Sequence, residues 1–282
     1  MYESYWRLKQ KPFENAADPR FYYPGQSHQA ALLKLRYAVE NRRGAALLAG
    51  PSGAGKTLLT VMLQKALDDR FSPFVHLVFP QMSTGELLGY LADELDGGRP
   101  AGQGGLPPQL SAEGGVQHAV RRIERFLTAN VEKGRHAVVA VDEAQLIRSP
   151  ETFEALRLLL NFEPGGTPAL TLLLVGQPSI LPTINRMPQW EERLAVKCLL
   201  RPFAQPETES YVEHRLRAAG SPRPIIEPDA VPTLQELTHG IARQINRLCD
   251  LALLIGYAEE QQTLGAGHFE AVCRELVTVA PD

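Results

Sequence analysis

The chain has 282 residues, of which 44% are hydrophobic and 22% are charged, and its formal net charge at pH 7 is −3. These values are ordinary for a globular protein of one large domain or two unequal ones, and they exclude an overall basic field for nucleic acid. No apolar run approaches the ~20 residues of a membrane-spanning helix, and the N-terminus has no signal-peptide pattern. The three cysteines lie in apolar stretches without metal-ligand or disulfide spacing, so we expect buried thiols in a reducing cytoplasm.

The N-terminal region, residues 1–44, is rich in aromatic residues and turns. The sequence Ser-His-Gln at 27–29 is a start signal for a helix, which we predict over about 27–41. The apolar run 45–49 then predicts a short buried strand, and the pattern over 58–67 predicts a helix.

The sequence between this strand and this helix is GPSGAGKT, which matches the phosphate-binding P-loop at every fixed position. A strand, a glycine turn and a helix N-terminus present backbone N–H groups and a positive dipole end to a polyphosphate. A simple glycine turn would not need Lys56, which we expect to neutralise the β- and γ-phosphates, or Thr57, which we expect to ligate Mg²⁺. We therefore predict that the chain binds ATP. The predicted binding residues are Gly50, Pro51, Ser52, Gly53, Ala54, Gly55, Lys56, Thr57 and Leu58.

Strands and helices continue to alternate after the P-loop. The pattern predicts strands over 74–79, 136–141 and 170–175, and helices over about 84–95, 116–132 and 150–162. Segment 96–115 is rich in glycine and proline and predicts a flexible loop within the domain, either functional or a tolerated insertion. The alternation predicts an α/β fold whose doubly wound, mostly parallel sheet binds ligands at the carboxyl ends of its strands. We expect five strands, of which these patterns locate four.

Two carboxylates, Asp142 and Glu143, directly follow the strand predicted over 136–141. A buried strand would deliver them to the carboxyl edge of the sheet, where an NTPase needs them. There Asp142 would hold Mg²⁺ through water, and Glu143 would act as the general base that polarises the attacking water. Alone, such a pair is explained equally well by a surface turn, but its position after a strand and downstream of the P-loop favours the catalytic interpretation.

Three further polar residues are candidates for a role in ATP hydrolysis. Gln177 follows the strand predicted over 170–175 and could orient the attacking water, although a solvated residue in a turn is the alternative. Arg193 could stabilise phosphoryl-transfer charge on a neighbouring subunit, or form an exposed ion pair with an adjacent glutamate. Arg243 lies near the start of a helix of the lid, from which it could reach the phosphates when the domains close, and an ordinary surface arginine is the alternative.

The strand pattern stops at about residue 204, and helical spacing replaces it. The predicted helices cover about 206–219, 228–238, 241–259 and 267–277. We therefore predict two domains, an α/β core over 1–203 and a small all-helical lid over 204–282. The core includes the aromatic segment 1–44 and the loop 96–115.

Several rarer motifs accompany the P-loop. They are YWRLKQKPF at 5–13, DPRFY at 18–22, VDEAQL at 141–146, LVGQP at 174–178, LRPF at 200–203, ETESYVEHRLRAAG at 207–220 and GIARQINRLCD at 240–250. Together they resemble the general secretion pathway protein A (ExeA-type) family of AAA+ ATPases, and the similarity covers nearly the whole chain.

This resemblance implies an AAA+ P-loop NTPase fold. It implies that Asp142 and Glu143 are the Walker B pair, Gln177 is sensor 1, Arg193 is an arginine finger and Arg243 is sensor 2. In this family the ATP site lies between the subunits of a ring, so the resemblance also implies a homo-oligomer, with a hexamer as one candidate.

The chain departs from the family pattern in three respects. Lys197 stands where relatives often carry a second arginine, and Ala242 stands where they usually carry a proline. Family members also continue into a membrane-spanning segment. We therefore expect either a fragment of such a protein or a relative of the stand-alone ATPases of pilus and exopolysaccharide export.

Three functions follow as hypotheses. The leading one is a cytoplasmic ATP hydrolase, possible also at the inner face of the membrane, that drives assembly of a secretion or pilus-type envelope machine and binds one of its proteins. The second is a DNA-dependent ATPase similar to the transposition regulators MuB and TnsC. The third is a slow ATP-gated switch. The arginines that could contact DNA are Arg36, Arg42, Arg43, Arg121, Arg122 and Arg125, although such clusters are usually solvated helix faces.

Overall fold

The structure, a computed structural model, describes residues 1–97 and 115–278. Its elements in chain order are α1 (Gln26–Glu40), β1 (Ala45–Ala49), α2 (Lys56–Ala66), β2 (Phe74–Leu77), α3 (Thr84–Leu95), α4 (Gly115–Glu132), β3 (Ala137–Val141), α5 (Pro150–Leu159), β4 (Leu170–Gly176), α6 (Ile180–Asn185), α7 (Pro188–Arg193), β5 (Leu194–Leu199), α8 (Gln205–Ala218), α9 (Val231–Thr238), α10 (Ala242–Ala258) and α11 (Ala266–Thr278). Within the described residues no helix combines the length and apolarity needed to cross a membrane. Most of the loop predicted over 96–115 lies outside the described residues.

The five described strands form one sheet in the order β2-β3-β4-β1-β5, and every pairing is parallel. This confirms the predicted doubly wound α/β fold. All residues of β1, β3 and β4 are buried, as expected for parallel strands that are covered on both faces. Because the strands are parallel, they all end at one edge of the sheet, the carboxyl edge, and begin at the opposite one, the amino edge.

Two strands differ from the sequence predictions. The strand predicted over 74–79 ends at Leu77, because its neighbour β3 ends at Val141 and the last ladder bond runs from the N–H of Asp142 to the carbonyl of Leu77. The fifth strand, β5, had not been located by its pattern. Among the described strands it pairs with β1 alone, and its exposed side chains alternate with two partly buried ones and the buried Cys198, so it lacks the continuous apolar run of an inner strand.

Residue contacts divide the chain into two compact units. The first contains Met1–Gln29, Pro51–Leu58 and the described residues from Leu200 onward, and the second contains Ala30–Gly50 and the described residues between Leu59 and Leu199. The second unit holds the sheet, and alternate strand residues pack with α3, α4 and α5 in one apolar core. The domain boundary at 203/204 stays a prediction.

The first unit has its own core, in which the N-terminal aromatic segment packs with the C-terminal helices. Trp6 is buried and donates its indole N–H to the carbonyl of Leu253 at 2.9 Å. The guanidinium of Arg215 lies 4.5 Å from the centre of the Phe21 ring and donates to two carbonyls of the same segment. Each buried large side chain contributes on the order of 2–3 kcal/mol to folding. The sequence analysis had assigned this aromatic segment to the α/β core.

Candidate active site

The P-loop begins at the carboxyl edge of the sheet, directly after β1. Gly50 donates its backbone N–H to the carbonyl of Gly176 at 3.1 Å, so the loop starts beside the end of β4. Within the loop, Gly53 and Gly55 have φ angles of +79° and +90°, values that glycine adopts without steric cost. The helix α2 then begins at Lys56, and its first turn offers backbone N–H groups without helical partners. This is the backbone arrangement that binds a polyphosphate.

The side chain of Lys56 lies against the loop itself. The residue is only 5% exposed, and Nζ donates to the carbonyl of Pro51 at 3.0 Å. A lysine in this position adds a positive charge to a cradle of N–H groups, and Thr57 after it is an exposed residue in the first turn of the helix. The residues present therefore fit a nucleoside triphosphate.

Arg243 and residues 51–58 of the P-loop belong to the first unit, and Arg243 contacts the loop closely. Its backbone N–H donates to the carbonyl of Gly53 at 3.1 Å. A Cβ atom placed on Gly53 would lie only 2.6 Å from the Cβ of Arg243 and 3.3 Å from Cγ2 of Ile241. The start of α10 thus packs directly on the loop, at a position where only a glycine fits.

His28 also supports the P-loop, and the sequence analysis used it only as part of a helix-start signal. Its Nε2 lies 2.8 Å from the carbonyl oxygen of Ala54, and since a carbonyl only accepts, Nε2 carries the proton and donates. The residue is buried, and burial lowers the pKa of the imidazole, which favours the neutral ring. The ring of Phe203 lies 5.3 Å from it, centre to centre.

The acid pair follows β3 at the carboxyl edge, in the second unit. Asp142 is only 2% exposed, its Oδ1 accepts the N–H of Glu143 at 2.9 Å, and its Oδ2 lies 3.3 Å from Nε2 of His76. Glu143 has a φ of +50°, a left-handed conformation that costs a non-glycine residue about 1–2 kcal/mol. Such strain persists where the surroundings hold the residue in a required orientation, as at functional sites.

The end of β4 is linked to the acid pair by a residue that the sequence analysis did not single out, Gln145. Its side-chain Oε1 accepts the backbone N–H of Gln177 at 2.9 Å, and its Nε2 donates to Oε2 of Glu143. Asp142, Glu143 and Gln177 therefore lie at the same edge of the same sheet. In the sequence, the signal for this role was a polar residue two positions after the acid pair. The structure adds that this residue lies in a turn that folds back on the sheet.

Arg193 lies at the opposite, amino edge. It ends α7, immediately before β5, and Nη2 donates to Oδ1 of Asn161 at 2.8 Å. The length of β1, on the order of 13 Å, separates this edge from the one that carries Asp142 and Gln177. Glu191, a glutamate adjacent in sequence that was an alternative ion-pair partner for Arg193, pairs with Lys197 instead.

A cavity of about 340 Å³ opens at this amino edge. Arg193 lines it together with Arg42, Arg43, Glu163 and Glu192. Three of these lining residues are basic and two are acidic.

Comparison with known families decides the assignment. A family model described as AAA domain matches residues 39–184, which include the P-loop, the acid pair and Gln177. The chain belongs to the AAA domain family. It is also 31% identical over 278 residues to general secretion pathway protein A of Aeromonas hydrophila, a match that covers 98% of this chain and 48% of that protein. The chain thus spans about half the length of this curated relative.

Solved structures agree with the AAA fold at low sequence identity. Cdc6p from Pyrobaculum aerophilum is similar with a TM-score of 0.71 and 16% identity, over 96% of this chain and 74% of that one. The ORC2 protein of Aeropyrum pernix, solved in ADPNP-ADP complexes, has a TM-score of 0.69 and 16% identity, over 95% and 72% of the two chains. The RuvB branch-migration motor of Thermotoga maritima has a TM-score of 0.59 and 15% identity, over 89% and 70%. These similarities show the fold alone.

Proposed function

We propose that this AAA domain binds ATP at the P-loop and hydrolyses it with Glu143 as the general base. The observation that carries the proposal is the P-loop itself, which joins the carboxyl end of β1 to a helix that begins at Lys56, with two glycines at positive φ. The nucleotide complexes of the similar ORC2 protein support the same choice of ligand.

In this proposal each site residue has one task. Backbone N–H groups of the loop would bind the phosphates, Lys56 would neutralise the β- and γ-phosphate charge, and Thr57 and Asp142 would hold Mg²⁺. When bound, Mg²⁺ neutralises negative charge that develops on the phosphate oxygens. Glu143 accepts a proton from the attacking water, and Gln177 orients that water.

We further propose that Arg193 acts on the ATP of a neighbouring subunit. Because it lies at the amino edge and the acid pair lies at the carboxyl edge, one copy of the sheet cannot bring Arg193 beside its own Glu143. A ring of identical subunits, for which a hexamer is one candidate, would bring these two edges together at each interface. The arginine would then stabilise charge in the transition state.

The proposed cellular role is to drive assembly of a secretion or pilus-type envelope machine, in the cytoplasm or at the inner face of the membrane. The identity to general secretion pathway protein A over 98% of this chain supports this role. A DNA-bound role is less favoured, because two of the arginines that could line a DNA channel are paired with carboxylates. Arg36 pairs with Glu40, and Arg122 pairs with two aspartates.

A mass measurement by light scattering tests this proposal. The Glu143→Gln variant, which should retain ATP, is measured with ATP and Mg²⁺, with and without a duplex DNA fragment. We expect a discrete ring without DNA. Assembly only on DNA would favour the transposition-type function, and a monomer under both conditions would favour an ATP-gated switch.

A further inference from the structure

We infer that Gln145 is a positioning residue for hydrolysis, which holds the carboxylate of Glu143 and ties it to the end of strand β4. This inference rests on the proposed function, because it takes Glu143 as the general base. It goes beyond that function by assigning a task to a residue outside the P-loop, the acid pair and the arginines.

Both polar atoms of the Gln145 side chain are used. Nε2 donates to Oε2 of Glu143, and Oε1 accepts the backbone N–H of Gln177 at 2.9 Å. An amide donates through nitrogen and accepts through oxygen, so this arrangement has one orientation, fixed at both ends. The side chain is therefore a single rigid connection between the base and the residue expected to orient the water.

The surroundings are shaped to admit this side chain. A Cβ atom on Gly176 would lie 2.5 Å from Oε1 of Gln145, so any side chain at the end of β4 would force the amide to leave this position. Gly176 is paired in the strand and its φ lies outside the left-handed region, so backbone conformation does not require a glycine there. What favours a glycine at position 176 is the space that the Gln145 side chain occupies.

The left-handed backbone of Glu143 fits the same interpretation. Its φ of +50° turns the chain out of the extended backbone of β3, and the bond from Gln145 fixes one of the two carboxylate oxygens. The other oxygen is left to accept a proton. A carboxylate held in this way keeps its alignment with the attacking water, and misplacement of about 1 Å costs on the order of 100-fold in rate.

The first test removes the connection. Gln145→Ala is expected to lower kcat for ATP about 10- to 100-fold while the ATP Kd, measured with a fluorescent ATP analogue, changes less than about twofold. Gln117→Ala, at an exposed glutamine of α4, is the matched control and should leave both values unchanged. An unchanged or increased kcat in Gln145→Ala would overturn the inference.

The second test separates positioning from a structural role. In Gln145→Glu the introduced carboxyl has nearly the same shape, and when protonated it can both donate to Glu143 and accept from Gln177. When ionised it cannot donate and repels Glu143. The ratio of variant to wild-type kcat should therefore fall about 10-fold or more between pH 5.5 and pH 8, since the neighbouring carboxylate raises the pKa of the introduced group. A ratio that does not depend on pH contradicts the inference.

Gly176→Ala provides an independent variant that displaces Gln145 without altering it. It should reproduce the loss in kcat, and combining it with Gln145→Ala should cause little further loss, because both changes break one connection. Additive losses would contradict a shared cause.

Glu143→Gln, assayed alongside, separates the two proposals. If it retains wild-type turnover, the proposed function fails, whereas unchanged Gln145 variants beside an inactive Glu143→Gln remove only the role of Gln145.

Discussion

The contact between the P-loop and the helix α10 makes a quantitative prediction for Gly53→Ala. Gly53 has a φ of +79°, and an added Cβ would lie 2.6 Å from Cβ of Arg243. Carbon atoms in van der Waals contact are about 3.5–4.0 Å apart, so the loop and the helix must separate by about 1 Å. The substitution therefore combines backbone strain with a steric clash.

The two contributions have different sizes. Backbone strain in the left-handed region costs about 1–2 kcal/mol for a residue with a Cβ. Overpacking of this kind costs about 1–3 kcal/mol, because both atoms belong to backbone-anchored positions that cannot rotate away. We expect Gly53→Ala to lower the free energy of unfolding by about 2–5 kcal/mol.

Gly55→Ala is the matched control in the same loop. Gly55 also has a positive φ, +90°, but a Cβ there would meet Nε2 of His28 at 3.5 Å, an ordinary contact. This variant should show the strain alone, about 1–2 kcal/mol. The assay is urea unfolding of the nucleotide-free proteins, followed by circular dichroism. Equal losses in the two variants would refute the packing of Arg243 on Gly53.

The remaining predictions concern ATP, the subunit interface and pH. Lys56→Ala should lose ATP binding in a fluorescent-nucleotide titration, and an unaltered Kd would contradict the assignment of the P-loop. Arg193→Ala should lose ATPase activity at least about 10-fold and regain part of it when mixed with Lys56→Ala, since a mixed interface then pairs an intact arginine with an intact P-loop; no recovery at any mixing ratio argues against action between subunits. Burial lowers the pKa of His136 to about 4. Between pH 6.5 and pH 4 its imidazole therefore stays neutral in the folded protein, whereas in the unfolded chain it binds a proton below about pH 6.5. The stability advantage of the wild type over His136→Gln in urea unfolding should therefore be full above pH 6.5 and shrink by about 3 kcal/mol as the pH falls to 4, and a constant advantage would show that His136 is not a buried neutral base.

The sequence predicted those parts of the fold that follow from local pattern. The apolar run of β1, the glycine turn and Lys56 are adjacent in sequence, and a motif with fixed spacing keeps its chemistry wherever it occurs. The helices of the C-terminal region were also predicted to within a few residues, because their apolar spacing is regular. The edge strand β5 has no regular apolar run, and it was therefore not located.

The parts of the candidate site that could not be predicted depend on contacts between distant segments. Nothing near Gln145 in the sequence indicates that its amide reaches Gln177, 32 residues away. His28 lies 26 residues from the P-loop carbonyl it contacts. The position of Arg193 at the amino edge follows from β5, which begins at the next residue and runs parallel to β1. Spacing alone suggested the importance of Arg193 but not the edge on which it lies.

The central claim is that this AAA domain hydrolyses ATP with Glu143 as the base, and a single-turnover experiment tests it most directly. Wild type and Glu143→Gln are each loaded with radiolabelled ATP and Mg²⁺ at protein concentrations that saturate binding. Samples are quenched at successive times, and the ADP formed in each is measured. We predict equal binding by the two proteins, with hydrolysis at least about 100-fold slower in Glu143→Gln. Equal hydrolysis rates, or a wild type that binds no ATP, would contradict the account.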